Sequence, residues 1–169
     1  MKTILSLILA ASIAIVSGTA LAQKKGAASA KQLVGQWSLV SIVNEGGGKK
    51  FEPFGPNPKG LFIFDKSGRY SIVITRESLP KIASNSREAA TAEENKAIVS
   101  GSLAHFGTYK VNEKDGTYML RIEASTFANW TGADQLRKFS VAGDELRIAN
   151  PTPSTGAGST SNLVLKRLK

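Results

Sequence analysis

Eight short runs of β-forming residues, each closed by a turn signal, are the feature that most limits what this chain can become. They are Gln36–Val43, Leu61–Phe64, Arg69–Arg76, Gly107–Asn112, Tyr118–Ser125, Gln135–Val141, Glu145–Ala149 and Leu163–Leu168. Asp65-Lys66-Ser67-Gly68, Asp115-Gly116 and Gly143-Asp144 supply the positive φ that tight reversals need, so neighbouring runs fold back on one another. About eight antiparallel strands can close into a ring with room for side chains and one small ligand. The expected fold is all-β: an eight-stranded antiparallel up-and-down barrel with one inserted α-helix. That helix is announced by the capping box Thr91-Ala92-Glu93-Glu94 and is expected to reach about Ala104. Its thin apolar stripe, Val99, Leu103 and Phe106 beside Ala97 and Ile98, would lie on the barrel or across one end.

The first run opens with Gly35-Gln36-Trp37. A glycine lets backbone approach closely, and an indole is large enough to plug one end of a small barrel, so Gly35 and Trp37 mark a floor. In the third run Tyr70, Ile72, Ile74 and Arg76 share one face and Arg69, Ser71, Val73 and Thr75 the other. The first set is the more apolar and is expected inside. Phe51–Gly60 carries three prolines and is therefore stiff, with Phe54 either a flap over the barrel mouth or tucked into the core. After Gly46-Gly47-Gly48, Lys50 is followed by Phe51 and phosphate-loop spacing is absent, so the glycines read as a plain loop. Pro151–Ser161 reads as a mobile loop before the closing strand.

Residues 1–22 have the form of a signal peptide: Lys2, an apolar run from Ile4 to Val16, and Ala20-Leu21-Ala22 at the cleavage point. Export is expected, to the periplasm or the medium, with a mature chain starting near Gln23. Residues 23–32 read as a flexible arm and 33–169 as one barrel domain. An exported chain without cysteine must draw its stability from burial and strand pairing, and thiol chemistry is excluded. Losing Lys2 takes the formal charge from +9 to +8, spread over separated basic pairs such as Lys24-Lys25, Lys49-Lys50 and Lys166-Arg167. Nucleic acid would demand a dense basic stripe with stacking aromatics, so it is not an expected partner; an acidic envelope surface suits this charge better.

Chemistry-bearing residues are few. His105 is the sole histidine, so any imidazole base must be this one, yet a histidine at a helix-to-strand junction near a barrel end serves equally as a cap or a solvent-facing group. One histidine and no cysteine leave no zinc site, no calcium loop is present, and no cofactor is expected. Arg121, Glu123, Gln135 and Arg137 lie on consecutive strands. If Arg137 shares the interior with Phe139 and Val141, it is a buried cation needing a carboxylate, either Glu123 or an acid group of the ligand. The alternative is an outer ladder of opposite charges. Tyr118, Leu120 and Ile122 form the apolar face of their strand, which conflicts with an inward Glu123. Trp130, within a chance Asn129-Trp130-Thr131 sequon, either closes the core or stacks on a ligand.

LVGQWSLVSI, FGPNPKGLFIF, LAHFGTYKV and FANWTGADQLRKFSVAGDELRIANP, in that order, resemble the bacterial and fungal lipocalin-like domains of the calycin group. The resemblance covers nearly all of the chain after the leader, and it implies an eight-stranded barrel with a cavity for a small, mostly apolar molecule. It also implies an arginine of the last strand lying over the first-strand Trp: Arg167 over Trp37, or Lys166 in a register one residue off. The preferred expectation is an exported carrier or sensor of a small hydrophobic or amphipathic ligand, its barrel lined by Phe54, Tyr70, Ile72, Ile74, Arg76, Tyr109, Trp130 and Arg137. An isomerase or cyclase using His105, Arg137 or Glu123 as a proton-moving group is the second expectation. A non-catalytic envelope module with a solid interior is the third.

Overall fold

The computed structural model describes residues 28–156 and 158–169, so the leader and the first part of the arm lie outside the described residues. A helical turn α1 (Ala30–Leu33) leads into β1 (Gly35–Gly46), β2 (Lys49–Phe51), β3 (Lys59–Phe64) and β4 (Arg69–Thr75). Helix α2 (Ala92–Gly101) runs directly into β5 (Ser102–Asn112), followed by β6 (Thr117–Ser125), a 3-10 turn at Ala128–Trp130, β7 (Asp134–Ala142), β8 (Glu145–Asn150) and β9 (Thr160–Arg167). Neighbours pair antiparallel in the order β2-β1-β3-β4-β5-β6-β7-β8-β9, and β9 returns to β1. β2 pairs only the outer end of β1, so β1 and β3–β9 make a closed eight-stranded barrel and β2 is a short flap with its own open edge.

The closing seam pairs Trp37 with Arg167 and Leu39 with Leu165, then shifts by one residue before Ser41 meets Val164. That bulge at Val40 changes which residues of β1 point inward: Trp37 and Leu39 before it, Ile42 and Asn44 after it, all buried, while Val40 is exposed. A second shift lies between Phe106 and Gly107 on β5. Here a Cβ on Gly107 would sit 2.0 Å from the Arg121 carbonyl oxygen, so only glycine lets the two strands approach.

Three elements differ from the sequence expectation. The glycines after β1 form a two-residue hairpin, Gly47 and Gly48 with φ of 56° and 72°, which adds the short β2. Helix α2 keeps its capping box, in which Thr91 Oγ1 accepts from the Glu94 amide and Glu94 accepts from the Thr91 amide. It ends at Gly101, where Ser102 turns extended (φ −143°, ψ 151°) to pair with Thr75 of β4. Leu103 therefore points into the barrel and Phe106 out of it, while Val99 is 72% exposed on the helix. The third element is the arm: residues 30–33 form the α1 turn, tied to the barrel by the Ala30 amide donating to Glu113 Oε1 at 2.7 Å.

Candidate functional site

The two ends of the barrel are built differently, and the site follows from that difference. At the α1 end Trp37 is fully buried and its Nε1 donates to the Leu33 carbonyl at 2.9 Å. The Arg167 guanidinium lies 4.0 Å from the Trp37 ring centroid and donates to the carbonyls of Val34 (2.9 Å) and Gln32 (2.6 Å). It thereby closes the C-terminal end of α1, where a cation is favoured. Gly35 makes room for it: φ is +138°, and a Cβ would meet Arg167 Nη1 at 2.6 Å. Above this floor Phe64 packs edge-on against Tyr109 (5.2 Å) and Tyr118 (5.6 Å), and Tyr118 against Phe139 (5.6 Å).

The opposite half carries polar groups inside. His105 lies on β5 rather than at a helix junction, 3% exposed, with Nδ1 2.9 Å from the Tyr70 hydroxyl. Burial, assisted by the positive charge of Arg137, pushes its pKa down to about 3, so the imidazole is neutral. Burial likewise raises the Tyr70 phenol far above its usual range. Trp130 packs edge-on to His105 at 5.4 Å, and the Arg137 guanidinium stands 5.8 Å from the Trp130 ring centroid. Arg137 is 3% exposed; its Nη2 donates to Gln135 Oε1 at 2.9 Å, and its Nε has no partner among the described residues. Asn44 accepts from the Ser161 hydroxyl and donates to Thr155 Oγ1 at 2.6 Å.

These groups surround an inner chamber of about 30 Å³, lined by His105, Trp130, Arg137, Asn44, Asn150 and Ser161 together with apolar side chains such as Ile74 and Phe54. Above it an open vestibule of about 1240 Å³ is bounded by Phe51, Arg76, Ile98, Val99 and Phe127. Pro53, Phe54, Leu103, Ser154 and Thr155 belong to both linings and form the partition between them. The stiff proline loop and the 151–156 segment thus meet over the mouth, and the latter is held by hydrogen bonds from Asn44 and to Asn150 Oδ1 rather than hanging free.

The expected site residues separate accordingly. Phe54, Ile74, Trp130, Arg137 and His105 line the chamber, and Arg76, just past β4, lines the vestibule. Tyr70, Ile72 and Tyr109 do not line it; Ile72 is fully enclosed, and the Tyr109 hydroxyl donates to the Asp65 carbonyl at 2.7 Å. Glu123 must be corrected: it stands on the outer wall in a two-pronged pair with Arg69, at 2.5 and 3.0 Å, while Arg121 pairs with Asp134. The cause is strand parity, since Tyr118, Leu120 and Ile122 occupy the interior of β6. Asn44, Asn150 and Ser161 line the chamber although the sequence does not single them out, and Gln135 stands behind the lining as the acceptor of Arg137. Gln135 shares its parity with Arg137, Phe139 and Val141, which is a usable signal.

Matched against protein-family models, residues 34–168 fit the lipocalin-like domain. The chain belongs to the lipocalin-like family. No curated protein matches it. A lipocalin-like barrel of this form suits small-ligand binding, and here the lipocalin-like fold offers its open space at the mouth rather than along the axis.

Proposed function

We propose that this lipocalin-like protein is an exported carrier or sensor that takes a small hydrophobic or amphipathic molecule at the barrel mouth. The observation that carries the reading is the vestibule of about 1240 Å³, in which Phe51, Ile98, Val99 and Phe127 present apolar surface beside a polar inner chamber. The barrel interior itself keeps only about 30 Å³, far below the ~300 Å³ of the smallest usual ligand pockets, as a solid envelope module would; the carrier reading therefore places the ligand's bulk in the vestibule at the mouth. Against an isomerase or cyclase stands the state of the ionisable groups. A histidine whose conjugate acid forms only near pH 3, with Nδ1 engaged by Tyr70, is a poor proton acceptor at neutral pH, and Glu123 lies outside the barrel. Export rests on the form of residues 1–22.

Native mass spectrometry of protein purified from its own host tests the carrier reading. A co-purifying small molecule released with unchanged mass is expected; a product of altered mass would mean catalysis instead. N-terminal sequencing of the exported fraction should begin at Gln23.

A further inference from the structure

We propose that the inner chamber is a carboxylate site: Arg137 receives the single negative charge of an amphipathic acid whose apolar tail lies in the vestibule. This rests on the carrier reading and narrows it to a ligand class. Arg137 is a nearly fully buried cation with no carboxylate beside it, because Glu123 and Asp134 are engaged by arginines on the outer wall. Leaving a buried guanidinium without a counter-charge costs several kcal/mol, roughly, and its five donors are served here by one side-chain acceptor, Gln135. Tyr118, its partner across the β6–β7 pairing, lies behind the chamber, with its hydroxyl beside the guanidinium rather than on the open space.

Charge and size together define the missing group. The chamber lining contains no Asp, Glu or Lys, and its histidine is neutral, so one positive charge faces the space and one negative charge balances it. A volume of about 30 Å³ has room for about two water-sized groups, the scale of the two oxygens of a carboxylate. The guanidinium fork matches a carboxylate with two parallel hydrogen bonds. Pro53, Phe54, Leu103, Ser154 and Thr155 border both the chamber and the vestibule, so a group at Arg137 adjoins the space where a short alkyl or aryl tail has room.

The test is calorimetric titration of the full mature protein with decanoate, decan-1-ol and decyl phosphate. Decanoate should bind roughly tenfold or more tighter than the alcohol, the scale of a hydrogen bond to a charged group, and tighter than the phosphate. Arg137→Met should bring decanoate down to the affinity of the alcohol, whereas Arg121→Met, which removes a cation of the outer wall, should leave the preference intact. Should Arg137→Met fail to fold, Arg137→Lys loses the fork and is expected to weaken decanoate alone. Equal binding of acid and alcohol by the wild type would overturn the carboxylate site and leave the carrier reading standing. So would a preference for acid that survives in folded Arg137→Met or disappears in Arg121→Met, while tighter binding of the phosphate would replace the class. If none of the three binds, the carrier reading for such amphiphiles fails together with the site.

Discussion

Two arginines, each set against an indole, stand at opposite ends of this barrel. Arg167 is 4.0 Å from Trp37 and gives its hydrogen bonds to two backbone carbonyls of the α1 turn. Arg137 is 5.8 Å from Trp130, gives one bond to Gln135 and keeps a buried Nε idle. The first arginine completes a structure; its donors satisfy carbonyls that the end of a helix leaves open. The second has been taken out of water with one hydrogen bond, the Trp130 ring and no counter-charge among the described residues, a state natural interiors rarely tolerate unless it serves a purpose. The same residue pairing therefore has opposite meanings, and the difference lies in whether the polar atoms are accounted for.

The sharpest break in this picture comes from the wall between the ends. Ile72→Asp places a charge in the sealed core and should abolish cooperative unfolding altogether, whereas Val73→Asp, on a residue 45% exposed, should shift stability by less than about 1 kcal/mol in urea melts. Equal damage would mean the inner and outer faces are misassigned. Next in size is the comparison of the arginines themselves. Arg167→Met should cost about 3 kcal/mol, since it strips two carbonyls and the Trp37 lid of their partner, while Arg137→Met should be neutral or stabilising.

A smaller effect is expected from pH. The unfolded His105 titrates near 6.5 and the folded one near 3, so the unfolded chain binds the extra proton across that window and stability falls as pH falls from 6.5. The groups facing the ring are Tyr70, Arg137 and Trp130, none of which titrates there. Denaturant midpoints should drop by the equivalent of about 2 kcal/mol between pH 6.5 and 5, and His105→Gln should flatten that slope. Smallest of all, Glu123→Gln removes an exposed pair on the outer wall and should change stability by less than about 1 kcal/mol, with ligand titrations unaltered.

Much of the barrel was legible because period-two alternation and turn residues are local properties. The β3–β4 hairpin, with its Gly68 turn, could be placed from composition alone. The bulge at Val40 could not, since it arises only when β9 lies against β1, and it carries Asn44 to the inside against the simple alternation from Trp37. The end of α2 differs because Val99, Leu103 and Phe106 fit a helical stripe, while Leu103 and His105 equally fit a strand; pairing of residues 102–108 with β4, a non-local interaction, decides for the strand. Polar lining residues were hidden for a further reason. Asn150 and Ser161 look like surface residues until cross-strand pairing puts them side by side within the interior.

The seam between β1 and β9 has a consequence for how the molecule forms. Val34 and Arg167, joined through a guanidinium bond, are 133 positions apart in the chain, so sealing waits until almost everything between them is in place. Until then both margins of the sheet stand open, each able to recruit a neighbour's strand instead of its own. Refolding yield should accordingly fall as protein concentration rises, and light scattering during dilution from denaturant would show whether that competition takes place before the ring is shut.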